Sequence, residues 1–268
     1  MGVANWEYWH ASEPLPYEPV GLIDYAIFAD TQEEPKAVYE HLEWLEAKCA
    51  RFFSVLKRTA GKLGDDLAKG EGVRNKGPAL NGHYISIPAY TKEGITPRHC
   101  TTDYKVAVID KTIRREILGL EPGERLKAEI TQLLGLSYDE TARIIRVKAL
   151  KAGSPFEYRF PLFEMEMTRG SCQKWLATYY PDRSIPRSAC VFCPYHSDAE
   201  FRAIREVSQD WERALEIDRA IRKISGAYVH RDRVPLAEAD LDDSETRERK
   251  KGQEMFGFLQ ECEGMCGV

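Results

Sequence analysis

Apolar residues follow two rhythms along the first half of the chain. Tyr25-Ala26-Ile27-Phe28-Ala29 is an unbroken apolar run that stops at Asp30-Thr31, the pattern of an interior strand of a parallel sheet, covered on both faces. Val38, Leu42, Leu45 and Cys49 then recur at i, i+4, i+7 and i+11, one helical stripe that places Cys49 in the core. The stretch from Gly61 to Gly82 is rich in glycine and charge and predicts a mobile loop. After Cys100, Ile109, Ile113 and Ile117 share a helical face, and Ile130 to Leu136 reads as another strand. This alternation predicts an α/β fold, a mostly parallel sheet with flanking helices.

The second half reads as more helical. Thr168 is placed to cap a helix carrying Cys172, Trp175, Leu176 and Tyr179, and Ser197-Asp198-Ala199-Glu200 has the form of a capping box, in which Ser and Glu satisfy orphan amides reciprocally. Ala214, Ile217, Ile221 and Ile224 mark a further amphipathic helix. The predicted organisation is an irregular lead-in over 1–20, an α/β domain with a cysteine site over 21–225, and a charged extension over 226–268 that ends in a cysteine tail.

With 268 residues, 43% hydrophobic and 30% charged, the chain is long enough for a sizeable core. No apolar run approaches the ~18 residues that span a bilayer, which excludes a membrane role by sequence. The N-terminus lacks a basic segment leading into an apolar one. Together with seven cysteines, that predicts reduced thiols in a cytoplasm. A net charge of −5 gives no global attraction to nucleic acid, yet leaves room for a local basic surface.

Cys190-Val191-Phe192-Cys193-Pro194 carries the most specific chemistry. Two thiols at this spacing can turn their sulfurs to one soft metal. Cys172 upstream and Cys100, which opens Cys100-Thr101-Thr102-Asp103-Tyr104-Lys105, would complete a four-thiolate shell. One tight pair with two scattered single ligands suits a [4Fe–4S] cluster; zinc is the alternative, and buried or redox cysteines a third reading.

Several short motifs, in order, resemble the phosphoadenosine phosphosulfate (PAPS) reductase family of the adenine-nucleotide α-hydrolase fold. Phe28-Ala29-Asp30-Thr31 with Glu34-Pro35 is similar to its second-strand motif. Cys100-Thr101 with Lys105 resembles its Cys-Thr-x-x-x-Lys segment, and Gly135-Leu136-Ser137 with Asp139, Glu140 and Arg143 its later Gly-Leu-x-x-Asp-Glu-x-x-Arg turn. Ser188-x-Cys190-x-x-Cys193-Pro194 is similar to the cysteine block of cluster-bearing members, including those of DNA phosphorothioation. The resemblance implies sulfur chemistry on an adenylylated or phosphosulfate substrate, with Asp30, Thr31, Lys105, Ser137 and Arg143 on the nucleotide side and a reductant protein or partner subunit. It also implies a role for the tail: Glu261-Cys262 and Cys266-Gly267 each match half of the family's C-terminal Glu-Cys-Gly nucleophile. The family's glycine-rich phosphate loop has no counterpart before Tyr25, where Gly2 and Gly21 stand isolated. Either the cradle is lost or the start of the gene is missing or replaced; its absence predicts weak binding of nucleotides by this chain, and favours two alternatives: a non-catalytic metal-stabilised binding protein, or a component of a nucleic-acid thiolation system.

Overall fold

A computed structural model describes residues 23–71, 84–127 and 129–241. The lead-in over 1–20 and the tail with Cys262 and Cys266 lie outside the described residues. The chain is mixed α/β. β1 (Tyr25–Ala29) and β2 (Ser54–Arg58) form one two-stranded sheet, joined through α1 (Lys36–Cys49). β3 (Ile130–Leu133) and β4 (Phe156–Arg159) form a second, parallel pair in the register Ile130↔Phe156 to Leu133↔Arg159.

The strands are therefore split between two short pairs among the described residues, where the sequence predicted a mostly parallel sheet. β1 is a strand over the predicted run, but not an interior one: Tyr25 is 46% exposed, and burial deepens only toward Ala29. An apolar run shows that a strand can be covered, not how many layers cover it. The same limit applies to α1. Val38 and Leu42 are buried, whereas Leu45 is 36% exposed and Cys49 only half-buried, so the stripe outlasts the surface it packs on.

The predicted loop after Gly61 contains a helix, α2 (Leu63–Lys69). Leu63 and Leu67, one turn apart, are fully buried, and Gly70 ends the helix in the left-handed conformation at φ 70°. Glycine is the residue that takes this conformation without strain. The helix over residues 100–117 departs from the expected face for a different reason. Its α-helical stretch α3 (Ala107–Lys111) lies between π-helical turns at Thr102–Val106 and Thr112–Ile117. Each π turn inserts a residue and rotates the next helical turn by about 100°. The buried stripe becomes Tyr104, Val108, Thr112 and Ile113 instead of Ile109, Ile113 and Ile117.

The remaining helices match the sequence more closely. A 3₁₀ turn (Tyr138–Glu140) leads into α4 (Thr141–Leu150), and α5 (Pro161–Glu164) comes after β4. α6 (Arg169–Tyr179) starts at Thr168, whose hydroxyl accepts the Ser171 N–H. α7 (Asp198–Arg205) opens with the predicted capping box of Ser197 and Glu200. α8 (Ser208–Ser225) buries Ala214, Ile217 and Ile221. No helix among the described residues is long and apolar enough to cross a membrane.

The described residues divide into two compact units. One holds residues up to Ala26 with Leu45–Leu56 and Leu118–Ile185; the other holds Ile27–Trp44, Lys57–Ile117 and the residues from Pro186 on. The main core belongs to the second unit. It joins Leu63 and Leu67 of α2, Tyr104, Val191 and Phe192, Phe201 of α7 and the inner face of α8, with Cys100 and Cys190 packed against it. Glu33 ties these pieces together: its carboxylate accepts the Gly64 N–H at 3.0 Å and two guanidinium N–H groups of Arg213 on α8, at 3.0 and 2.5 Å. A Cβ on Gly64 would collide with Glu33 Oε1 and stand 2.6 Å from Arg213 Nη2. Gly64→Ala is accordingly expected to lower stability by about 1–3 kcal/mol, the usual cost of overpacking, measured as a lower urea midpoint at unchanged slope.

Candidate functional site

The loop leaving β1 is unusually polar for a segment so deeply buried. Thr31 is 0% exposed, and Asp30, Glu33 and Glu34 are buried beside it. Unpaired carboxylates would not survive there, because desolvation costs several kcal/mol per ion; each is paired. Asp30 accepts from the Tyr39 hydroxyl at 2.9 Å and the Gln32 N–H at 2.7 Å, and Lys57 Nζ lies 3.3 Å away. Gln32 takes φ 60° to close this turn, a left-handed conformation uncommon outside glycine. Burial, followed by the bond to Asp30, raises the Tyr39 phenol far above its usual range, so it stays a donor.

Glu34 faces the cysteines. Its carboxylate receives Lys105 Nζ at 3.3 Å on one oxygen and the Ser188 hydroxyl at 3.1 Å on the other. Thr31 Oγ1 lies 3.2 Å from Cys190 Sγ, a hydrogen bond in which either group can donate. Burial pushes the Cys190 thiol well up; Glu34 adds to the shift, Lys105 and Thr31 oppose it, and nearby Cys100 contributes a further rise. Three motifs far apart in sequence thus meet: Asp30 to Glu34, Cys100 to Lys105, and Ser188 to Cys193.

The backbone of the Cys190 turn is held from several sides. Val191 donates to the Glu33 carbonyl at 2.8 Å, Cys193 to the Cys190 carbonyl at 2.8 Å, and the Tyr90 hydroxyl to the Pro194 carbonyl at 3.2 Å. His196 Nε2 is 2.9 Å from the Cys190 carbonyl, which can only accept, so the proton sits on Nε2. The Cys100 N–H and the His99 N–H both go to the carbonyl of Ser86, at 2.7 and 2.8 Å. Beside them, Ser86 Oγ and His99 Nε2 are buried without a hydrogen-bond partner.

Other predicted residues have local duties. The Ser137 hydroxyl donates to Asp139 at 2.5 Å, and the Ser137 N–H donates to Glu140 at 3.0 Å in a capping box. Arg143 Nη1 donates to Glu140 at 2.7 Å. Burial alone would raise Glu140, but the Ser137 N–H and Arg143 outweigh it and hold the carboxyl low. Asp139 accepts the Arg169 N–H at 3.2 Å, so a carboxylate of the chain itself occupies the start of α6. Cys172 sits in the first turn of that helix, in the first unit, and burial with Asp139 raises its thiol.

The donor chemistry of Cys100, Cys190 and Cys193 suits a soft metal. Among the described residues, however, no group of three or more His, Cys, Asp or Glu is arranged to hold a metal ion. Sequence reasoning missed Glu33 and Arg213, because a Gln-Glu-Glu-Pro run reads as a solvated turn and Arg213 as an exposed face of an amphipathic helix. Comparison with protein-family models, curated proteins and solved structures finds no match.

Proposed function

We propose that this chain is a PAPS reductase-like iron–sulfur protein, acting on the sulfur of an adenylylated or phosphosulfate substrate by reductive release or sulfur transfer. The observation that carries this reading is the meeting of Thr31, Glu34, Lys105, Ser188, Cys100 and Cys190. These residues belong to the motifs on which the resemblance rests, and nothing in their spacing along the chain requires them to meet. Cys100, Cys190 and Cys193 would hold a [4Fe–4S] cluster, with zinc as the alternative metal. Bound there, a cluster would polarise the site or carry sulfur. The chain's own groups do the rest. Thr31 orients the Cys190 sulfur, Glu34 fixes the Lys105 ammonium, and Glu33 and His196 hold the turn that presents the thiols.

A second reading, a metal-stabilised binding protein without catalysis, is favoured by one specific observation. Lys105 and Arg143, the groups expected to take an anionic substrate, are each committed to a neighbouring carboxylate. Anaerobic purification with iron, sulfide and zinc analysis separates the metals, and calorimetry with ATP separates the functions. Iron with equimolar sulfide supports the cluster; zinc alone supports the alternative metal; neither metal refutes the site. Low-micromolar ATP binding would refute the expected weak binding of nucleotides and remove the missing cradle as a ground for the second reading.

A further inference from the structure

From Arg169 to Ile185, the last stretch of the first unit, three Lys and Arg stand against one acid, Asp182. Within it, α6 buries none of its 11 residues although it carries Trp175, Leu176 and Tyr179. Its aromatic rings form a small group: Trp175 lies 4.8 Å from Tyr179 and 6.1 Å from Tyr180. Lys48, at the end of α1, stands over the Tyr180 ring at 5.7 Å, and Lys174 and Arg183 flank the rings in sequence. Cations over rings recur in this unit, with Lys148 over Phe160 at 5.6 Å and Lys151 over Tyr158 at 5.4 Å.

An apolar protein partner would be served by aliphatic side chains and few charges, and a purely acidic peptide by cations without rings. Rings interleaved with cations answer a ligand that alternates flat π faces with anionic groups at every step. We infer that the end of α6, with Lys48, binds single-stranded nucleic acid: bases stack on Trp175 and Tyr179 while Lys48, Lys174 and Arg183 neutralise phosphates. The inference is independent of the sulfur chemistry, because it uses no residue of the Cys190 site.

Fluorescence anisotropy of the full chain with a labelled 12-nucleotide single strand tests it, DNA and RNA in parallel. Binding should weaken with salt, and Trp175 emission should be quenched on saturation. Trp175→Ala should weaken binding by about 5-fold or more, the loss of one stacked base, whereas Trp175→Phe keeps a ring and most of the affinity. Lys48→Gln should weaken binding and reduce the salt slope by about 1. Circular dichroism of each variant confirms that α6 is intact. No binding by the wild type, binding unaffected by Trp175→Ala in a folded variant, or equal competition by polyglutamate would each overturn the inference.

Discussion

Glu33→Ala is expected to destabilise the protein by about 3–5 kcal/mol, the cost of removing one partner from a buried ion pair. Arg213 would be left facing Gly64 without its principal carboxylate; Glu33 first, then Glu216 and Asp65, hold its pKa far above the usual guanidinium value. Asp65 and Glu216 are more exposed partners, at 2.6 and 2.8 Å, and screened pairs of that kind offset little. Denaturant melts at matched protein concentration measure the loss. Glu33→Gln, which keeps the shape and one acceptor, should fall between wild type and alanine. A change below about 0.5 kcal/mol for Glu33→Ala would mean the pair is solvated and the loop not anchored by it.

If the cluster proposed above is bound, Cys190→Ser should produce the largest functional change, loss of iron and sulfide with the fold retained. The serine hydroxyl can still bond Thr31, so a packing effect is minimised, while a hard oxygen replaces the soft donor a cluster needs. Cys100→Ser and Cys193→Ser should behave alike. Cys49→Ser, outside the site, should leave metal content unchanged. Iron retained in Cys190→Ser would remove this thiol from the ligand set. Metal analysis per folded protein, checked by circular dichroism, reads all four.

Local signals were legible and global ones were not. The caps at Thr168 and Ser197 arise from bonds closed within four residues, and both stand where the sequence puts them. The extent of β1 is likewise local, being set where the apolar run meets Asp30. Its exposure depends on which strands lie alongside, information held elsewhere in the chain. The π turns in residues 100–117 shift a helical face through backbone hydrogen bonding that no side-chain period records. At the site, the cysteines stood out by chemistry, and Thr31 and Glu34 through the motif resemblance. Glu33 did not, because a buried Glu and a solvated Glu are the same letter until a partner far away in sequence is known.

The Glu33–Arg213 pair also sets a clock. Its two residues are 180 positions apart, so the segment after β1 leaves the ribosome long before α8 exists to neutralise it. At synthesis rates of ~5–20 residues per second, the wait is roughly 10–40 s. Throughout it, Glu33 has its permanent partner still unmade, and the apolar face of α2 lacks α8. The nascent chain is therefore expected to engage a holding chaperone during this interval, and to fold late and in one step once α8 emerges.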